Sequence, residues 1–253
     1  SLDGDNLVVL NNDIRIGRVP MHNLESIVTF GYTGASPALL RYCVEHNVSL
    51  TFMRQSGKFM ARVIGPSKGN VTLRKRQYQI SDDECESLAI ARNFIIGKVY
   101  NHKWIIERTI RDHSLLVDAD AMKTASKQLT ILLKDIRACD NFESLRGFEG
   151  QAAVVYNRMF NQMILKQKDH FYFNGRNRRP PLDNVNSMLS FAYTLLSIDI
   201  AGALDQVGLD AYVGFMHRDR PGRASLALDV MEEFRGIMAD RFVISLINLK
   251  VIN

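Results

Sequence analysis

The residues from Gly214 to Arg235 (G-F-M-H-R-D-R-P-G-R-A-S-L-A-L-D-V-M-E-E-F-R) concentrate the groups best able to do chemistry. His217 stands in a loop with Arg218, Arg220 and Arg223, and Pro221-Gly222 marks a turn. Ser225 is placed to cap a helix on which Asp229, Glu232 and Glu233 follow at i, i+3 and i+4, so their carboxylates share one side. Leu226, Val230, Met231 and Phe234 supply the apolar stripe that would bury it. Carboxylate oxygens with one imidazole suit a hard divalent cation such as Mg²⁺ or Mn²⁺, and the guanidiniums suit a phosphate. A solvated acidic helix face and a basic loop that never meet would carry the same residues.

Three further stretches bear on that chemistry. In Leu145-Arg146-Gly147-Phe148-Glu149-Gly150-Gln151-Ala152-Ala153, Glu149 lies between two glycines at the expected mouth of a helix running to about Lys166. Without side chains beside it, that carboxylate can approach another segment or a metal; an acid stabilised by the helix dipole is the plainer reading. His170 to Leu182 carries Arg176, Arg178 and Arg179 with no acid among them, just after Phe171, Tyr172 and Phe173. Arginines beside aromatics suit phosphates and unstacked bases, and a surface loop would look the same. From Val48 to Ser81 there is no acid, while Arg54, Lys58, Arg62, Lys68, Arg74, Lys75 and Arg76 all fall there. Arg74 and Arg76 are the candidates for DNA-backbone contact, with a solvated connector as the alternative.

These groups need a scaffold, and 253 residues with 46% hydrophobic and 23% charged composition can build one. The formal net charge of +5 favours an anionic partner. Cys43, Cys85 and Cys139 fit no disulfide frame or zinc site and suit a reducing cytoplasm. No apolar run approaches the length of a membrane span, so no membrane partner is expected. Strands are expected at Leu7–Leu10, Ile14–Val19, Ser26–Phe30, Ser49–Met53 and Lys58–Ile64, the last two turning at Gln55-Ser56-Gly57. Ser36-Pro37 opens a single helix among them. The rest reads as helix: one after a capping box at Ser81-Asp82-Asp83-Glu84, one from Asp118 to about Ala138, and one from Asp183 to Gly208. On the last of these, Asn186, Ser190 and Tyr193 read as surface polar groups, and His22, His46, His102 and His113 read as structural. The expected class is α+β: a β-rich N-terminal domain over residues 1–65, a connector over 66–80, and a mostly α-helical domain over 81–253. The chain reads as a piece trimmed at one or both ends.

L-R-G-F-E-G-Q-A-A, N-R-R-P-P-L-D-N-V-N-S-M-L-S-F and the Gly214–Arg235 stretch resemble, in order and spacing, the CRISPR-associated Cas-one integrases. H-N-L-E-S-I-V-T-F-G-Y-T-G-A-S-P-A-L-L-R-Y-C and S-L-T-F-M-R-Q-S-G-K-F-M-A-R-V-I-G resemble that family's β-domain, and the wording is nearest its subtype I-C branch. The resemblance implies metal ligands at Glu149, His217 and Glu232, an acidic position near the site at Asp229, and a basic, DNA-facing position at Arg235. It also implies a homodimer paired through the β-rich domain and a Cas-two protein dimer between two such homodimers. The activity implied is metal-dependent DNA cleavage and the joining of a short fragment's 3′ ends to the CRISPR repeat. Relatives usually begin before Ser1 and continue past Asn253.

The chemistry implied is phosphoryl transfer, with Arg218, Arg220 and Arg223 placed to hold phosphates. Two other classes fit the same residues. One is a DNA-binding scaffold without turnover, distinguished by metal-independent binding without products. The other is a metal-dependent phosphohydrolase of small phosphates, distinguished by competition from nucleotides.

Overall fold

The computed structural model describes residues 1–66, 71–217 and 220–252, so Lys68 and Arg218 lie outside the described residues. By contact it divides into two compact units: Ser1–Val71 with Gly202–Leu209, and Thr72–Ala201 with Asp210–Asn253.

The first unit holds two three-stranded sheets. In one, β1 (Leu2–Asp3), β2 (Asn6–Asn11) and β3 (Ile14–Pro20) run antiparallel in sequence order. Asn12 and Asp13 both take positive φ in the two-residue turn between β2 and β3, which suits the twist of a tight hairpin. In the other, β4 (Ser26–Phe30) lies parallel to β5 (Ser49–Met53), and β6 (Phe59–Val63) returns antiparallel. Parallel pairing of β4 and β5 requires a crossover, and α1 (Pro37–Glu45) supplies it, capped by the Ser36 hydroxyl. Met21, Leu39, Cys43, Val48 and Leu50 form its core.

The second unit is helical: α2 (Val71–Asp82), α3 (Glu84–His113), α4 (Ala119–Ala138), α5 (Phe142–Met163), most of α6 (Asn184–Gln206), α7 (Ser225–Phe234) and α8 (Arg241–Asn248). A π-helical turn, Arg235–Asp240, joins the last two. The 30-residue α3 is the spine, packing against α4, α5, α7 and the π turn. Ile95, Ile106, Met122, Leu129, Ile136, Leu145 and Phe160 fill the core around it. The expected α+β order, β-rich first and helical after, is what the chain adopts.

Several local expectations need correction. Residues 71–82 are helix, and the next helix is capped by Asp83, which accepts the Glu86 amide, not by a box opening at Ser81. Helix α5 starts seven residues before Glu149, capped by Asn141, so Glu149 is in its interior and not at its mouth. Helix α7 has no side-chain cap: Ala224 occupies that position, and Ser225 is the buried first helical residue. Phe171 and Phe173 are buried in the core, so of that aromatic run only Tyr172 is exposed. Helix α6 is long and apolar enough, by length and composition alone, to cross a membrane, contrary to the reading of the sequence.

Candidate active site

A cavity of about 950 Å³ opens in the helical unit. Helix α3 sends Lys98 and His102 into its wall, one turn apart on one face; α5 sends Glu149 and Tyr156; α7 sends Glu232. The π turn contributes Arg235 and Asp240. In an α-helix those two would stand about 140° apart around the axis. Closure over one extra residue returns them to the same side. Gly97 makes the close approach of α7 to α3 feasible, because a Cβ there would lie 2.7 Å from Glu233 Cγ.

The three carried-over ligands, Glu149, His217 and Glu232, all line this cavity. Between the two glutamates lies the ammonium of Lys98, bonded to Glu149 Oε1 and, at 2.7 Å, to Glu232 Oε2. The Lys98 side chain is only 3% exposed. As they lie, no three His, Cys, Asp or Glu side chains among the described residues stand close enough to share one metal ion.

Asp229 does not face the cavity. Fully buried, it accepts the backbone amides of Phe215 (2.6 Å), Met216 (2.9 Å) and His217 (3.0 Å), and its Oδ1 lies 2.6 Å from His217 Nδ1. One carboxylate thereby folds the loop and orients the imidazole. With Nδ1–H donated to Asp229, Nε2 keeps its lone pair. Glu232 is held by two cations, Lys98 and Arg235, whose Nη1 reaches both carboxylate oxygens at 3.1 and 3.0 Å. Burial pushes the Glu232 carboxyl up, but Arg235 and Lys98 outweigh it and hold the group well below the usual range. Arg235 also stacks on Tyr193, its guanidinium carbon 4.4 Å from the ring centroid. It is spent on positioning more than the expectation of a DNA-facing arginine allowed.

Behind this lies a second buried group. Asp240 accepts the hydroxyls of Tyr156 (3.1 Å) and Tyr193. Burial raises its carboxyl to about 6, with Arg235 and the two tyrosines opposing. His102 stacks on Tyr156 with ring centroids 3.7 Å apart, and neither ring nitrogen has a hydrogen-bond partner. Burial, then the charges of Lys98 and Arg235, push that imidazole's pKa well below its ordinary value.

Of the predicted phosphate-holding arginines, Arg176, Arg178, Arg179, Arg220 and Arg223 all line this cavity with Arg235. Arg176 is fixed by Asn186 Oδ1 at 2.7 Å and Ser190 Oγ at 3.1 Å. Asn186, fully buried, in turn bonds Gly175 and Asp183. Asn186, Ser190 and Tyr193 are therefore working parts of the site and not the surface groups their sequence suggested. Arg74 and Arg76 do not line the cavity, and Arg76 pairs with Glu86 at 2.8 Å. Arg62, in the same acid-free stretch, pairs with Asp205.

Sequence reasoning passed over Lys98, Tyr156 and Asp240. A signal existed for the first: Leu88, Ala91, Ile95, Lys98 and His102 recur at helical spacing, so the lysine falls on the buried stripe. Asp240 carried no such signal, because its placement depends on the π turn.

Residues 1–253 match the family described as CRISPR associated protein Cas1. The CRISPR-associated endonuclease Cas1 1 of Chlorobaculum tepidum is 42% identical over 248 residues, covering 98% of this chain and 72% of its own length. The endonuclease Cas1 2 of Rhodospirillum rubrum is 44% identical over 250 residues, covering 97% and 72%. A casposase bound to integration product has the same fold with a TM-score of 0.78 at 25% identity, over 100% of this chain and 71% of the other. A CAS1 protein from Thermotoga maritima, at 22% identity and a TM-score of 0.76, shares the fold over 100% of this chain and 76% of its own.

Proposed function

Because the chain belongs to the CRISPR-associated Cas1 family, we propose that the cavity between α3, α5 and α7 is its metal-dependent phosphoryl-transfer centre, with Glu149, His217 and Glu232 as ligands. The protein is a DNA endonuclease and integrase of CRISPR adaptation, joining the 3′ ends of short DNA fragments to the CRISPR repeat. The observation that carries the assignment is that Glu149 and Glu232 already converge on one cation, the Lys98 ammonium, inside a cavity ringed by arginines. The donor set fits a hard divalent ion. Two carboxylates meet at a cation position, and a histidine with its second nitrogen fixed by a buried carboxylate completes the type of set that Mg²⁺ or Mn²⁺ takes.

When bound, such an ion supplies Lewis-acid polarisation of a backbone phosphate and stabilises charge on the departing oxygen. The chain's own residues do the rest. Glu149, Glu232 and His217 would hold the ion, and Asp229 keeps the imidazole in the tautomer that could ligate it. Arg235 fixes Glu232 from the side while Tyr193 fixes Arg235. Arg176, Arg178, Arg179, Arg220 and Arg223 present guanidiniums to the phosphates of the bound strands. The attacking group is a DNA 3′-hydroxyl in joining and water in hydrolysis, so one site serves both and no side chain acts as a covalent nucleophile.

The assembly belongs to the same reading. The hairpin β2–β3 exposes the apolar side chains of Val9, Leu10, Ile14, Ile16 and Val19, which suits pairing of two copies into a homodimer. A partial Cas6-RT-Cas1–Cas2 complex shares the fold with a TM-score of 0.68 at 26% identity, over 100% of this chain and 74% of that one, which supports Cas2 as the second partner. The same reading puts the protein in the cytoplasm, and the wording of its motifs, nearest to subtype I-C members, supports that branch.

The test is metal-dependent joining of a short duplex to a repeat-containing DNA by Glu149→Gln, His217→Ala and Glu232→Gln. Each is expected to lose joining while retaining its circular-dichroism spectrum. Wild-type rates in any folded variant would remove that residue from the ligand set. Metal-independent DNA binding without products in the wild type would favour a scaffold, and inhibition by free nucleotides would favour a small-phosphate enzyme.

A further inference from the structure

Among the described residues Lys98 is the one buried ammonium in the cavity wall, and its two carboxylate partners, Glu149 and Glu232, are both candidate metal ligands. Among the described residues no other carboxylate bonds it. One turn along α3 the neighbouring side chain on that face is His102, whose ring nitrogens have no hydrogen-bond partner. A divalent cation that takes both glutamates competes with the ammonium for their charge and leaves a buried cation beside a buried cation, which is unfavourable without a further anion. The other carboxylate on the cavity wall, Asp240, is taken up by the hydroxyls of Tyr156 and Tyr193, and Arg176, Arg178 and Arg179 line the rest with guanidiniums, so a bound anion is the partner left for a displaced ammonium.

We propose that Lys98 is a counter-cation that couples metal occupancy to phosphate capture: it holds Glu149 and Glu232 in the metal-free protein and passes to a DNA backbone phosphate when a divalent cation takes those carboxylates. The inference rests on the reading of Glu149 and Glu232 as ligands. Metal without DNA then binds weakly, because the displaced ammonium is uncompensated. DNA restores the pairing, and by linkage each ligand tightens the other. The arrangement keeps the cleavage centre unloaded until a phosphate is present.

The experiment is Mn²⁺ titration followed by electron paramagnetic resonance, with and without a short duplex whose 3′ ends are dideoxy-terminated so that they cannot join. Wild-type affinity for Mn²⁺ is expected to rise roughly tenfold or more with DNA. Lys98→Met is expected to bind Mn²⁺ roughly tenfold tighter than wild type without DNA and to gain less from adding it. Affinity no tighter than wild type, or an unchanged gain from DNA, overturns the proposal. Should Lys98→Met fail to fold without metal, Lys98→Arg decides. Its planar fork holds both carboxylates more firmly, so Mn²⁺ is expected to bind more weakly than in wild type; equal or tighter binding overturns the proposal. Glu149→Gln separates the two readings. If it binds Mn²⁺ like wild type the ligand assignment itself fails, whereas loss of binding there with no tightening in Lys98→Met defeats only the role of the lysine.

Discussion

Replacing Asp229 with asparagine tests how the loop and the imidazole are held. The carboxylate divides its work evenly: Oδ2 accepts the Phe215 and Met216 amides, and Oδ1 accepts the His217 amide and the His217 ring. Asparagine keeps one accepting oxygen and sets an NH₂ group against two donors. A hydrogen bond to a charged group contributes about 1.5–3 kcal/mol, so losing two costs about 3–6 kcal/mol. Phe215 and His217 are half-buried and water can reach them, which places the expected loss toward the lower end. Mn²⁺ affinity should fall about 10- to 100-fold, because a histidine whose other nitrogen is unsupported no longer presents a fixed ligand. Urea unfolding and Mn²⁺ titration on the same preparation give both numbers. Glu233→Gln is the control on the same helix, expected to lie within about 0.5 kcal/mol of wild type. An Asp229→Asn protein within about 1 kcal/mol of wild type, with unchanged metal affinity, would refute the positioning role.

Asp240 predicts a pH dependence of stability. Its carboxyl stands at about 6 in the folded protein against an ordinary 3.8, so the folded state favours the protonated form; the contribution is complete below 3.8 and is lost as pH rises through about 6. The difference is worth about 3 kcal/mol, which Asp240→Asn should remove from urea unfolding measured between pH 4 and 8; identical pH profiles would sink the assignment. Gly214→Ala should cost about 1–3 kcal/mol, since its Cβ would fall 2.9 Å from the backbone carbon of Ser225 and 2.9 Å from Asp229 Oδ2; thermal denaturation indistinguishable from wild type would show that the loop yields. Neutralising Arg178 and Arg179 together should weaken binding to unrelated DNA sequences alike and flatten the salt dependence by roughly one unit of slope per lost phosphate contact. The Arg74/Arg76 pair, outside the cavity and with Arg76 engaged by Glu86, should change that slope less; equal effects from the two pairs would mean that the cavity does not guide the backbone.

Local chemistry made much of this protein legible. Alternation and turn residues in the first 65 positions mark strands because a half-buried sheet imposes a period of two, and Asn12-Asp13 or Gln55-Ser56-Gly57 tolerate the backbone a tight turn needs. Asp118 and Ser36 mark helix starts because a short oxygen-bearing side chain satisfies an otherwise orphaned amide. The clustering of His217, Asp229 and Glu232 in one short stretch was visible for the same reason, since loop and helix there are contiguous in sequence. Which acid binds and which one positions was not visible from spacing alone. Asp229 and Glu232 sit three residues apart on one helix, and only the fold of the Gly214–His217 loop over Asp229 turns that carboxylate inward to the amides.

The remaining parts of the site come from segments far apart in the chain. Lys98 reaches Glu149 across 51 residues and Glu232 across 134, and Tyr193 reaches Asp240 across 47. A sequence pattern reports periodicity within an element, which is why Asn186, Ser190 and Tyr193 looked like the polar side of α6. Their partners Arg176 and Asp240 arrive from a loop and from a π turn that no propensity announces. The order of residue types along the chain determined that strands precede helices, and that acids, His217 and arginines were at hand in a few short stretches. Only tertiary packing decided that two glutamates would share a buried lysine, because burying a charge is tolerated where an opposite charge meets it, and that meeting is a property of three helices together.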